Sequence, residues 1–490
     1  MLMRSGLALV LVFGLSCATT SVAPPAVAPK ISADVLANRL AEADRLASQG
    51  CYLCLKEAAG AYSALLEVSD SPVLIKDALE NNLMIALREI ELRLPDSGAR
   101  EAAMQLQARV PASYASYVAA LDLLGPAKAG QNVRELYVRG EPFQLGSRQE
   151  REARAQLAVE LEMEWPASPM KAYFYLAMAF SAGRIKELQP QLDAILETHS
   201  QDLSLKYRRQ AFLPTFSIDE SRALIGQETG FGEVHFLLGQ RAILDANLGN
   251  AYRELTLARQ LLPDSAAISL VLANVTLAYA RYADALVLFE RVLARGRDDT
   301  AEIGRAKALS YLGRHEEAIA TLDELLKDLQ NNPGEKYYWR AWNRLRLTQA
   351  QAAYDDAIAA LNAMRNNEVY RLAGIASYSL NRLAEARGHF DNALSMNRAD
   401  CDSERYLGLI DAGERIWKHA AVRFNNAVAC YDGAIARLST ELAEHEKDIT
   451  GLSNALIASL RGEIKEAEML RAASASNAIV AHKNDGLRAP

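Results

Sequence analysis

Residues 236–265 read FLLGQRAILDANLGNAYRELTLARQLLPDS, and the pattern in this stretch returns five more times down the chain. Gly239 stands twelve residues before Ala251, and Leu255 and Ala258 follow that alanine by four and seven. Alanines recur at 251, 285, 318, 353, 386 and 420, spaced 34, 33, 35, 33 and 34 residues apart. Twelve before each is Gly239, Ala273, Ala306, Ala341, Gly374 or Gly408. Four after come Leu255, Phe289, Leu322, Ala357, Phe390 and Phe424; seven after come Ala258, Val292, Leu325, Ala360, Ala393 and Ala427. Such a period marks residues 232–432 as six copies of one supersecondary unit. Antiparallel helices approach closely only where side chains are small, so the Gly/Ala of the first helix is expected to face the alanine of the second. The larger residues at four and seven continue the same helical face and fill the groove against the next pair. Turn signals separate the helices at Asn247-Leu248-Gly249-Asn250, Leu312-Gly313-Arg314 and Ala412-Gly413-Glu414. Helix starts follow Pro263-Asp264-Ser265 and Asn332-Pro333-Gly334-Glu335.

The units resemble tetratricopeptide repeats. The match is clearest over 236–265, over AKALSYLGRHEEAIATLDELL (306–326) and over SERYLGLIDAGERIWKHAAVRFNNAVA (403–429). The unit at 334–366 departs from the family pattern, with Arg340 in place of the usual Leu and Ala357 in place of a bulkier residue. The resemblance implies an all-α fold, an α-solenoid (superhelix) of antiparallel tetratricopeptide-like helix pairs, whose first helices line a concave groove.

Outside the array the pattern weakens. Residues 32–119 are expected to hold degenerate pairs: 33–69 has Ala58, Tyr62 and Leu65 after a turn at Gln49-Gly50, and 72–108 reads as another. Residues 120–231 read as an irregular helical region, broken by Gly125-Pro126, Gly130, Gly140 and Pro142 before a charged helix near 147–163, with a further pair over 168–198 opened by Pro169. Residues 433–490 are expected to cap the array, first as a polar helix through 449 and then as a helix pair over 450–478.

The N-terminus carries a separate message. Residues 1–16, MLMRSGLALVLVFGLS, have one charge at Arg4 and an apolar run from Leu7 to Leu15, too short to span a bilayer but laid out as a secretory signal. Cys17 follows at once and resembles a bacterial lipobox, which implies a lipidated, mature N-terminal cysteine. The competing reading is an ordinary signal cut after Ala23 in Ser21-Val22-Ala23. Residues 17–31 then form a flexible, proline-containing tether. Ala18 rather than Asp after Cys17 implies, by family analogy, the outer membrane of a bacterial envelope, facing the periplasm.

Four cysteines remain. Cys401 begins the first helix of its unit and Cys430 ends the second, so antiparallel packing brings them within reach of a disulfide; two buried thiols are the alternative. Cys51-Tyr52-Leu53-Cys54 is read as a local disulfide at a helix turn. Zinc would need a second ligand pair, and none lies within fifty residues; a thioredoxin-like role would need a βαβ setting.

No reaction chemistry is signalled. The seven histidines are dispersed, and no phosphate-binding or nucleophile-elbow motif occurs, so no catalytic, cofactor or metal residues are assigned and the chain is read as a non-enzyme. A formal charge of −7 without a basic run argues against nucleic acid. The first helices place Phe236, Asn274, Lys307, Tyr311, Tyr338, Trp342, Arg346, Arg371, Tyr378 and Arg405 in the groove. Tyr338, Trp342 and Arg346 follow at i, i+4 and i+8, within an aromatic and basic segment, EKYYWRAWNRLR (335–346). Tyr, Trp and Arg are the types most enriched at binding hot spots. The expected function is a lipid-anchored scaffold or adaptor that docks a protein or peptide; the alternative is a lipoprotein binding a small molecule or peptide for an uptake system.

Overall fold

A computed structural model describes residues 32–110, 114–124, 148–162, 168–181, 185–212, 217–327 and 333–486. The signal at 1–16, Cys17 with its tether, and the Gly/Pro stretch from Gly125 to Pro142 lie outside the described residues. Among the described residues there are 23 helices and no strand.

The six units are helical hairpins: Gly232–Leu244 with Leu248–Leu261, Ala266–Ala278 with Tyr282–Leu293, Asp299–Tyr311 with His315–Leu325, Pro333–Arg346 with Ala350–Ala363, Asn367–Ser379 with Leu383–Met396, and Cys401–Gly413 with Trp417–His445. Their starts are chemically marked. Ser265, Asp298, Asn366 and Asp400 each accept a hydrogen bond from the backbone N–H three residues on, supplying a partner for a first-turn donor that the helix leaves unpaired. Their turns share one geometry. Ala246, Ala280, Gly313, Thr348, Asn381 and Arg415 all have positive φ, from 54° to 75°. The next N–H in each case reaches back to a carbonyl of the preceding helix: Asn247 to Ala242 at 2.8 Å, Gln349 to Arg344 at 2.8 Å, Ile416 to Asp411 at 2.8 Å, with the other three units alike. This is the Schellman closure, repeated six times. Only one of the six positions is glycine.

In three of the hairpins a glycine marks the close approach. A methyl built on Gly239 would lie 2.6 Å from Leu255, one on Gly374 2.6 Å from Phe390, and one on Gly408 2.8 Å from Phe424. In these three units the glycine of the first helix sits directly against the large residue four beyond the repeat alanine. The six alanines are wholly buried. From Ala266 onward each first helix also touches the first helix of the following unit, so these helices form the inner face of the curve.

Helices Ala33–Gln49, Tyr52–Leu66 and Pro72–Leu92 pack ahead of the array, and the end of the third runs onto it. Ser265 Oγ donates to the Leu92 carbonyl at 2.5 Å, the Ala266 N–H to Arg93 O at 3.2 Å, and Arg93 pairs with Asp298 at 2.7 Å. One fully buried cation, Arg88, ties the segments together. Its guanidinium donates to Gly50 O at 3.3 Å and to the Tyr173 hydroxyl, lies 3.7 Å from Glu233 and sits 4.4 Å from the centre of the Tyr207 ring. Burial raises the pKa of Glu233, while Arg88 and the Tyr52 N–H at 2.7 Å favour its charged form.

The C-terminal end departs most from the sequence reading. The second helix of unit six runs on unbroken to His445, and residues 454–486 form one 33-residue helix where a helix pair was expected over 450–478. The two lie antiparallel, with Leu460, Ala467, Ser474 and Ala481 buried at seven-residue spacing. At its base this hairpin covers Ala420, Ala421 and Phe424 of unit six. At its tip Leu452 and Leu456 join the core cluster of units one and two, and the His445 ring lies 6.1 Å from that of Tyr279. Cys401 and Cys430 are disulfide-bonded where the long helix leaves unit six, and Cys51 is bonded to Cys54.

Two substitutions test this packing. Gly374→Val forces a side chain into the buried Phe390 ring and is expected to cost about 1–3 kcal/mol in urea unfolding. Thr348→Gly relieves a β-branched residue at exposed positive φ and should gain about 0.5–1 kcal/mol.

Candidate functional site

The first helices bring five of the ten projected groove residues, Lys307, Tyr311, Tyr338, Trp342 and Arg346, onto one strip. Tyr311, at the end of the first helix of unit three, stacks on Tyr282 of unit two with ring centroids 4.6 Å apart. It also meets Trp339 at 5.6 Å and Trp342 at 6.2 Å, both from unit four. Trp339 contacts Tyr338 at 5.5 Å, and His315 stands edge-on to Trp342 at 5.7 Å. Three consecutive units thus share a continuous aromatic patch. Two cations border it. The Arg346 guanidinium lies 4.8 Å from the centre of the Trp342 ring, and Lys307 Nζ is 5.7 Å from that of Trp339. Lys307 is paired with Glu335 at 2.5 Å, whereas exposed Arg346 faces no acidic partner among the described residues.

A buried polar contact sets the strip's geometry. Asn343, fully buried, donates through Nδ2 to Ser310 Oγ at 2.7 Å and to the Trp339 carbonyl at 2.7 Å. Its Oδ1 accepts from His315 Nδ1 at 2.9 Å, which assigns the ring proton to Nδ1. Units three and four are therefore locked in register directly beneath the tryptophans. The irregular unit is also explained. Arg340 binds Asp356 at 2.9 and 2.5 Å and Asp323 at 2.6 Å, and Arg344 binds Asp356 at 2.6 Å. Ion pairs replace the usual leucine, and Ala357 stays wholly buried in the small core beside them.

A second patch lies further along. Arg371 pairs with Asp400 at 3.4 Å; Arg405 sits 4.4 Å from the centre of the Tyr406 ring, and Tyr378 meets that ring at 5.1 Å. Burial, then Glu368, pushes the Tyr338 hydroxyl up to about 12, against the opposing pull of Arg371. Asn274 is exposed, its amide turned back to the Leu270 carbonyl at 3.1 Å. Phe236 does not belong to the groove. It is buried in the same core cluster as Leu92, because the helix Pro72–Leu92 runs onto unit one there. Tyr282, Trp339 and His315 also enter the patch: Trp339 lies in the segment 335–346 but not among the projected groove residues, while Tyr282 and His315 open second helices at the turn edge, which a projection along first helices omits.

The Tyr311 hydroxyl is shifted upward by burial, then by Tyr282, with a smaller contribution from the charge of Glu463 on the final helix. The C-terminal hairpin runs from unit six back to units one and two. A separate half-open cleft of about 290 Å³ lies among the helices Ile185–Thr198, Leu203–Phe212 and Ile218–Gln227, floored by Leu196, Ala223 and Leu224. Its polar rim is engaged with itself, Arg209 lying 3.7 Å from Glu220 and Gln210 donating to the same carboxylate.

The fold is a tetratricopeptide-type α-solenoid. No family model and no curated protein matches the chain. Among solved structures it is similar to the Cut9–Hcn1 hetero-tetramer of the APC/C, at 14% identity and TM-score 0.43, over 83% of this chain and 73% of that one. It is also similar to pilF of Pseudomonas aeruginosa, at 19% identity and TM-score 0.37, over 42% and 95%. A tetratricopeptide repeat protein from Parabacteroides merdae aligns at 18% identity and TM-score 0.36, over 49% and 98%. The likeness concerns the fold alone.

The hairpin contact has a direct test. Leu452→Asp with Leu456→Asp places two charges in the cluster of units one and two. Faster amide exchange and new proteolytic cuts are expected over 446–456, while units three to six stay protected.

Proposed function

We propose that the chain is a membrane-anchored scaffold in a bacterial envelope, tethered through lipid on Cys17 and docking a protein or peptide along its inner face. The aromatic strip carries this reading. Tyr311, Trp339 and Trp342 offer large amphipathic surfaces on rigid helices, and Arg346 supplies a cation with no acidic partner among the described residues. Such groups bind with little loss of side-chain freedom, since Asn343 and the stacked rings already hold them in place. An adaptor in envelope assembly, secretion or pilus-type machinery suits this arrangement. The lipobox-like Cys17, Ala18 and the tether 17–31 support outer-membrane attachment with the array in the periplasm. The small-molecule alternative would use the cleft beside Leu196; because Arg209 and Gln210 on its rim are both engaged with Glu220, the strip is the better site.

The test is capture of the partner from detergent-solubilised envelopes by the full chain. Trp342→Ala with Arg346→Ala is expected to weaken capture at least tenfold with helicity by circular dichroism unchanged, as removal of a binding hot spot would. Cys17→Ser is expected to move the chain to the soluble fraction. Undiminished capture by the double variant refutes the docking strip, and membrane retention of Cys17→Ser refutes the lipid anchor.

A further inference from the structure

The geometry points to a metal site for a thiophilic divalent cation, formed by Cys51, Cys54 and Glu228 when the Cys51–Cys54 disulfide is reduced. In sequence the C-x-x-C stands alone, with no second ligand pair nearby. The fold supplies a third donor from far along the chain: a carboxylate oxygen of Glu228 and the two sulfurs all lie within 4.8 Å of one another. Two of the three are buried, and Glu228 leaves the site partly open to solvent.

Each donor is held. Cys51 caps the helix Tyr52–Leu66, its sulfur accepting the Cys54 N–H at 3.0 Å, so the helix N-terminus favours negative charge on that sulfur. Gly50, at φ 70°, is fixed through its carbonyl by Arg88 at 3.3 Å and by Ser204 Oγ at 3.2 Å. A side chain at Gly50 would collide with the Ser204 backbone, so this turn has one available position. Glu228 ends the helix Ile218–Gln227, and its Oε1 accepts the Gly230 N–H at 2.9 Å. Two thiolates and one carboxylate bring three negative charges together. Arg45, whose field reaches Glu228, is already bound to Glu42 at 2.6 Å. A divalent ion is the natural counter-charge, and two sulfurs with one oxygen suit zinc or cadmium rather than magnesium or calcium. Three protein donors leave a fourth tetrahedral position for water.

The chemistry balances with a phosphine reductant. The phosphine attacks one sulfur and the S–S bond breaks; water then converts the phosphorus adduct to phosphine oxide, leaving two thiols. Both protons are released as the cation binds. The disulfide and the metal are thus mutually exclusive occupants of one turn, set by the redox conditions around the chain. This inference is independent of the docking strip; it requires reduction of the disulfide, which the oxidising periplasm of the anchored reading opposes.

The test is cobalt titration of the full chain, oxidised and after phosphine reduction with the phosphine removed. One Co²⁺ per chain with thiolate-to-metal charge-transfer absorption is expected in the reduced form, displaced by Zn²⁺, and none in the oxidised form. Cys51→Ser should abolish the band and Cys430→Ser should keep it. Glu228→Gln, which retains both thiols, should weaken cobalt binding at least tenfold, the scale of a lost metal partner. Absence of the band in the reduced chain overturns the site, as does its survival in Cys51→Ser. Unchanged affinity in Glu228→Gln also overturns it, since the third donor is what distinguishes this site from a bare dithiol.

Discussion

The array depends on close approach of paired helices at small residues, and in three of the six units that residue is a glycine set against a large side chain. Gly239 under Leu255, Gly374 under Phe390 and Gly408 under Phe424 let paired helices come together at a distance that a bulkier residue would forbid. Packing at interior density then fixes the angle between helices, and repetition turns that angle into a curve. The turn imposes the second constraint. Each hairpin reverses through one left-handed residue and one Schellman bond, even where the residue is Ala, Thr or Arg and the conformation costs about 1 kcal/mol. Uniform hairpins are what allow successive first helices to touch and to share a continuous inner surface.

The proposed function rests on that surface. Aromatic side chains from three units could not stack unless the units held a common register, and the Asn343 contacts to Ser310 and His315 enforce it at the strip itself. At the other end, Arg88 joins the first three helices to unit one through Gly50 and Glu233. A buried cation of this kind is weak evidence for stability, but removing one partner strands a charge, so the junction tolerates few arrangements. The C-terminal hairpin adds a long-range tie from unit six back to units one and two.

The period of the array was plain in the sequence because helix pairing needs small residues at a fixed spacing, and only Gly and Ala meet that need. The turn geometry was less legible. Gly313 signalled its left-handed position, whereas Ala246, Ala280 and Thr348 adopt the same φ with no compositional trace. The nearest neighbour of the small residue was also hidden: positions 251 and 255 lie on one helical face, and spacing alone does not say that Leu255 is the residue Gly239 sits against. Phe236 was placed in the groove because its register matches Tyr338, but Leu92 shares its core cluster, and such a contact between distant segments leaves no mark on local pattern. Neither does a third metal donor 174 residues after Cys54, which only the fold brings beside the C-x-x-C.

The central claim is that the inner face of the solenoid is where a partner docks. Site-specific photocrosslinking in the chain's own host tests it most directly, with the crosslinker placed in turn at Tyr311 on the strip and at Val287, exposed on a second helix. A discrete adduct from Tyr311, lost when Trp342→Ala is added, with none from Val287, is the expected result. Adducts formed equally from both positions, or from Val287 alone, would contradict it.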